Sequence, residues 1–267
     1  KASPNVNILP ALRREPGFEL RNDSWVLKVN LSKDKKTATG VTYVDSQGNE
    51  VEQPADIVVI SAFQFHNVHL MLLSGIGKPY DPATNTGVVG RNFSYQNMTT
   101  IKAFFDKNVH TNPFIGAGGA GVAIDDFNAD NFDHAPYGFV GDAPFWVNQA
   151  GTKPISGLPT APGTPNWGSK WKADVAENYT HHLSMDVHGA HQSYRVNYLD
   201  LDPTYKSVHG QPLLRMTFDW QDNDIKMNQF MFKKLEIIAR ALHPKFITGS
   251  PKHPGEHFNL GTYQTTH

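Results

Sequence analysis

The sequence predicts an α+β protein: an antiparallel-sheet body backed by helices, joined to part of an α/β domain that carries a β-meander. Three observations predict it. Residues 18–53 alternate apolar and polar side chains between short polar turns. Ile57–Ile60 is an unbroken β-branched run, followed by an apolar stretch with a glycine stop. Beyond residue 98 come more alternating stretches, and the last leads into one long amphipathic segment. Alternation at period two puts one face of a strand against a core, whereas recurrence near 3.6 does the same for a helix.

In chain order, residues 1–17 set proline and polar residues around Leu9 and Leu12, with Arg13-Arg14 behind them, enough for one or two helical turns. Phe18-Glu19-Leu20 and Trp25–Leu31 alternate, Ser32–Lys36 is a polar turn and Ala38–Val44 returns as a strand. Gln47-Gly48-Asn49 then turns the chain into Glu50–Gln53, completing a meander. Ile57-Val58-Val59-Ile60 is expected to be a strand buried on both faces, although four such residues also suit a turn of buried helix. Small Ser61 and Ala62 allow close packing where that strand ends. Val68–Leu73 reads as a helix stopped by Ser74-Gly75-Ile76-Gly77, with Gly75 or Gly77 as the left-handed cap. Ligands favour the carboxyl ends of strands in such units, and an ordinary ligand-free βα unit has the same pattern.

Thr99–Phe105 is expected to be a strand, within a loop-rich body of short strands over 99–215 whose residues 106–180 are rich in Gly, Pro, Asn and aromatics. Phe145, Trp146, Trp167 and Trp171 would suit a stacking platform for a sugar, or would pin irregular loops. His181–His188 and Ser193–Leu199 read as strands. Leu199–Tyr205 and Leu213–Trp220, joined through His209-Gly210-Gln211-Pro212, read as an antiparallel pair. Asp222 is the expected N-cap of a helix running to about Leu242, with Asp224 as a first-turn charge. Its apolar face would hold Ile225, Phe230, Leu235, Ile238 and Leu242, with His243-Pro244 as the stop and 243–261 as a polar loop.

Composition narrows the function. The 267 residues carry a net charge of −1 with Lys and Arg dispersed, which gives no electrostatic footprint for nucleic acid. No run approaches the ~18 apolar residues of a membrane span. There are no cysteines, so neither disulfides nor thiolate metal sites arise. Thirteen histidines include the pairs His66/His69, His181/His182 and His188/His191. On a strand, an i, i+3 pair points to opposite faces, and zinc requires three or four converging ligands, so no metal site is expected. Gly116–Gly121 follows no strong strand and opens no helix, and so reads as a loop rather than a nucleotide fingerprint.

Leu70–Gly77 and Val89-Gly90-Arg91-Asn92-Phe93 resemble the second signature region of the glucose–methanol–choline (GMC) family of FAD-dependent oxidoreductases. Phe63–Asn67 departs from it, standing where that family has a small Gly/Ala-Ser/Thr-Pro run. Within the family, residues 2–21 and 61–77 are most similar to the flavoprotein subunits of bacterial membrane-bound gluconate, 2-ketogluconate and fructose dehydrogenases. The resemblance implies an internal fragment: 1–98 as a partial FAD-binding domain, and 99–267 as a substrate-binding domain whose end returns to the flavin site. It implies FAD as cofactor, its site incomplete here. Val26 matches a valine whose main chain meets the adenine, Ser61 and Ala62 lie at the cofactor end of the strand, and His267 takes the active-site histidine position. An iron–sulfur cluster would belong to cysteines of the parent chain upstream of this piece. The implied substrate is a sugar or sugar acid. The implied partners are a cytochrome c subunit and a small subunit, in the periplasm and on the inner membrane through those partners. A non-catalytic sugar-binding or interaction module and an oxygen-using GMC oxidase are the alternatives.

Overall fold

A computed structural model describes residues 3–111, 121–148 and 159–251. The elements are α1 (Pro4–Asn7), α2 (Leu9–Leu12), β1 (Trp25–Leu31), β2 (Ala38–Val44), β3 (Glu50–Pro54), α3 (Gln64–Ser74), β4 (Asn97–Phe104), β5 (Val122–Ile124), β6 (Phe145–Asn148), α4 (Ser169–Asn178), β7 (His182–Gly189), β8 (Tyr198–Lys206), β9 (Pro212–Thr217), α5 (Asp222–Ala241) and β10 (Phe246–Thr248). The class is α+β with antiparallel sheets throughout. Two compact units divide the chain: one holds the segment through Tyr95 together with Ser193–Asp219, the other Gln96–Gln192 with Trp220 onward. The stretch 193–219, expected among the later residues, thus packs with the N-terminal segment.

The first unit is built on the meander β1-β2-β3. Leu27 and Val29 of β1 are buried, as are Tyr43 and Val44 of β2. The hairpin after β2 closes on Asp45, whose Oδ1 accepts the N–H groups of Gln47 and Asn49, each at 2.9 Å, and Gly48 supplies the positive φ of 85°. The free edge of β1 is covered by side chains. Ser74 Oγ accepts the Val29 N–H at 2.8 Å while donating to the Leu70 carbonyl at 2.6 Å, and Gln211 Nε2 donates to the Leu27 carbonyl at 2.8 Å. Helix α3 ends as expected on Gly75, at φ 68°, with the Ile76 N–H donating to Met71. Strands β8 and β9 pair antiparallel, and their irregular middle is an Asp202 turn whose Oδ1 accepts from Thr204 and Tyr205.

Several expectations fail here. Phe18–Leu20 is not a strand, and Ser193–Asn197 is turn and coil before β8 begins at Tyr198. Ile57–Ile60 forms no strand, and Ile57 and Val59 are 81% and 79% exposed. Among the described residues no strand lies beside this run. A β-branched segment without a ladder partner cannot satisfy its backbone groups as a strand.

The second unit is a five-stranded sheet in the order β10-β4-β7-β6-β5, with α5 packed on β4 and β7. Ile101, Phe145, Met185 and Val187 form one face and are fully buried against Met227, Met231 and Leu235 of α5. The N-cap of α5 is Gln221, one residue before the expected Asp222, because Gln221 and Asp224 form a reciprocal capping box. The Asp224 carbonyl accepts from Asn97 Nδ2 at 2.7 Å, and Asn97 Oδ1 accepts from Asn228 Nδ2 at 2.9 Å. This buried polar chain fixes the helix to the start of β4. The buried stripe runs through Ile225, Met231, Leu235 and Ala239; the expected Leu242 is exposed and Phe230 and Ile238 are partly so. Helix α4 and strand β10, in stretches expected to be loops, are present. Phe145 is a core residue and cannot belong to a stacking platform.

Candidate functional site

Two of the cofactor positions expected from the sequence meet in the first unit. The pairing of β1 with β2 slips between Val26 and Lys28, leaving Leu27 as an extra residue. Such a bulge re-aims the neighbouring side chains, and Val26 is 40% exposed on a strand whose alternate residues Leu27 and Val29 are buried. Across from it, Phe63 takes φ 71° ahead of α3, and the Ala62 N–H donates to Asn67 Oδ1 at 2.7 Å, which holds the turn into the helix. Val26 and Ala62 line one cavity of about 210 Å³ with Trp25, His66, Leu70 and Gln211. Ser61 is exposed and does not line it.

The chemistry of this cavity suits a flat heteroaromatic ring: Val26, Leu70 and Trp25 supply apolar walls and His66 a hydrogen-bonding group, while Gln211 Nε2 is already engaged by the Leu27 carbonyl. Its volume falls below the about 300–1,000 Å³ of complete small-molecule sites, so it would hold one part of a dinucleotide rather than the whole. His69 Nε2 lies 2.7 Å from the Pro212 carbonyl and is committed to tying α3 to β9. Sequence reading missed Trp25, His66 and Gln211 as lining residues. The signal for His66 was present: it sits in the Phe63–Asn67 stretch where the chain departs from the family pattern. Gln211 left no such signal, because a 184-residue separation from Leu27 has no local pattern.

The Gly90–Asn92 part of the motif shapes the backbone. Gly90 has φ 89°, and a Cβ there would lie 2.0 Å from the Leu199 carbonyl oxygen, so only glycine permits the bond from the Leu199 N–H to the Gly90 carbonyl at 2.8 Å. Asn92, also at positive φ, keeps a buried side-chain oxygen without a partner among the described residues.

His267 and residues 116–120 lie outside the described residues. The histidine pairs are placed as follows. His181 Nδ1 is 2.7 Å from the Val109 carbonyl and His182 Nδ1 is 3.1 Å from that of Asn178. His188 lies on β7, and His191 Nε2 lies 3.4 Å from Asp224 Oδ2. Burial pushes the His182 and His188 imidazoles below the usual histidine range. Among the described residues, no group of three or more His, Asp or Glu could hold a metal ion, and no helix is long and apolar enough to cross a membrane.

Residues 1–98 match the GMC oxidoreductase family. Over all 267 residues the chain is 75% identical to the gluconate 2-dehydrogenase flavoprotein of Pantoea cypripedii, covering 100% of this chain and 43% of that protein. It is 27% identical over 235 residues to the 2-methyl-1,2-propanediol dehydrogenase of Mycolicibacterium austroafricanum, covering 85% of this chain and 40% of that protein. A formate oxidase structure from Aspergillus oryzae RIB40 overlaps with TM-score 0.44 at 16% identity, over 81% of this chain and 43% of that one. The chain therefore spans less than half the length of the curated relatives it matches. The first 98 residues thus belong with the GMC oxidoreductases, and they are continuous with a chain 75% identical from end to end to a gluconate 2-dehydrogenase flavoprotein.

Proposed function

We propose that this chain is part of an FAD-dependent oxidoreductase that oxidises a CH–OH group of a sugar or sugar acid, of the gluconate 2-dehydrogenase type. The observation that carries the reading is the 75% identity to a gluconate 2-dehydrogenase flavoprotein along every residue of the chain. Both named relatives are dehydrogenases, which favours dehydrogenation over the oxygen-using alternative. FAD, when bound, supplies the hydride acceptor. Val26 and Ala62 would hold its adenine end in the 210 Å³ cavity, and Ser61, next to Ala62 in the chain, would meet the cofactor from outside that cavity. His267 is the proposed base: a neutral imidazole takes the hydroxyl proton as the C–H hydride leaves, turning CH–OH into C=O. The remaining cofactor contacts would come from parts of the protein beyond this chain. We propose also a cytochrome c subunit and a small subunit as partners, with the complex in the periplasm on the inner membrane and an iron–sulfur centre in the parent chain. The test is to purify the complete flavoprotein with its partner subunits and follow reduction of an artificial acceptor by gluconate. Turnover that disappears in His267→Ala while FAD content stays unchanged is expected. Full activity in His267→Ala would remove the proposed base, and no turnover of any sugar acid or polyol by the wild-type complex would overturn the reading.

A further inference from the structure

The second face of the five-stranded sheet, away from α5, is packed at one end, where Phe104 stacks on Phe246 and His182, but from Lys102 onward it carries polar chemistry. We propose that this face seats the substrate as a polyhydroxylated carboxylate, with Lys102 meeting the carboxylate, the Asp186 cluster meeting hydroxyl groups and Trp146 covering the C–H side of the carbon chain. The assignment of substrate class rests on the functional reading above; the assignment of residues rests on the geometry that follows.

Pairing register puts these side chains on one surface. Thr100 faces Asp186, Asp186 faces Trp146, and Lys102 faces Ser184, which in turn faces Asn148. Their strand neighbours Ile101, Phe145, Met185 and Val187 are the buried ones, so alternation alone commits this set to the opposite side. Asp186 is held in place by three donors: Thr100 Oγ1 at 2.6 Å, Asn148 Nδ2 at 3.2 Å and Ser184 Oγ at 3.5 Å. A carboxylate oriented in this way is a fixed acceptor for hydroxyl protons. Trp146 is 45% exposed in mid-strand, 5.9 Å from the His188 ring. A half-exposed indole bordered by polar groups offers an apolar surface with a wet rim, which suits the C–H side of a hydroxylated chain.

Lys102 supplies the anion preference. Its side chain is part-buried at the centre of β4, and burial depresses its ammonium pKa, with Asp186 opposing the shift. A cation in such a setting gains more from an arriving carboxylate than an exposed lysine would, because less water competes. Space is available beside it. A cavity of about 730 Å³ is lined by Thr100, Lys102, Thr160–Thr164 and Ile247–Gly249. The Thr160–Thr164 segment is anchored through Asp174 Oδ2 of α4, which accepts from the Ala161 N–H at 2.7 Å and Thr164 Oγ1 at 3.0 Å. Lys102 and Trp146 stand on strands two apart, about 10 Å across the sheet, a span that an acid of sugar length can bridge between two long side chains.

The test uses the complete flavoprotein complex and compares gluconate with sorbitol, its uncharged polyol counterpart, in wild type, Lys102→Met, Lys102→Arg and Trp146→Ala. Lys102→Met is expected to raise KM for gluconate by about 10- to 100-fold, the scale of one charge-assisted hydrogen bond. It should leave kcat and the KM for sorbitol near wild type. Lys102→Arg should restore most of the affinity for gluconate. Trp146→Ala should raise KM for both substrates at unchanged flavin content. If Lys102→Met shifts both KM values equally, or neither, while the wild type oxidises gluconate, the seat is wrong and the functional reading stands. If the wild type oxidises no sugar acid, both fall. Should Lys102→Met fail to accumulate, Lys102→Arg and Trp146→Ala decide: normal KM for gluconate in Trp146→Ala overturns the seat.

Discussion

The two faces of the five-stranded sheet are made by the same strands and the same alternation, yet they do different work. On one, Ile101, Phe145, Met185 and Val187 are closed under α5. On the other, one residue along in each case, stand Thr100, Lys102, Trp146, Ser184, Asp186 and His188. Burial of the first face provides the stability that lets the second hold a part-buried lysine and an oriented carboxylate, neither of which would be chosen for folding alone. Substitutions in the middle of the two faces should therefore separate: Ile101, Phe145, Met185 and Val187 in stability, Lys102 and Trp146 in substrate affinity.

The largest expected effect sharpens that division from the buried side. Leu235→Ala removes a fully buried side chain of α5 and should cost about 2–5 kcal/mol, read as a lowered denaturation midpoint with KM unchanged in whatever enzyme remains folded. Gly90→Ala in the other unit should lower the thermal unfolding midpoint through two causes: strain at φ 89°, about 1–3 kcal/mol, and a Cβ 2.0 Å from the Leu199 carbonyl oxygen. Gln221→Ala takes away half of the α5 capping box and should cost about 1 kcal/mol. The mildest effect concerns pH. Burial holds the folded His182 imidazole below the ordinary histidine value of 6.5, so the unfolded chain binds more protons below that pH. Stability from this residue is fully present above pH 6.5 and is lost as pH falls through the folded pKa. His182→Gln should flatten the fall of the unfolding midpoint below pH 6.5; an unchanged slope would show that other groups carry it.

How much of this was legible in the sequence depends on how local the cause is. The meander strands Trp25–Leu31 and Ala38–Val44 stand where alternation put them, as does the Gly75 cap, because turn residues and period two act over a few positions. Ile57–Ile60 misled, since a β-branched run becomes a strand only when another strand lies beside it. Strand β10 was hidden for the opposite reason: Phe246-Ile247-Thr248 is three residues long, and its pairing with Phe104, Ala103 and Lys102 comes from across the chain. Val26 and Ala62, singled out through resemblance, line one cavity, while nothing local pointed to Gln211 in its wall. The polar sheet face could have been read from Thr-x-Lys in β4 and Ser-x-Asp-x-His in β7, had the two strands been known to pair.

The central claim is that adjacent residues of β4 have separate duties, so the most direct measurement takes Ile101→Ala and Lys102→Met side by side in the complete flavoprotein. Unfolding midpoint and KM for gluconate would be recorded for both. The account predicts a crossed result: Ile101→Ala loses stability and keeps KM, whereas Lys102→Met keeps stability and loses affinity. Two variants that change both quantities alike would contradict it.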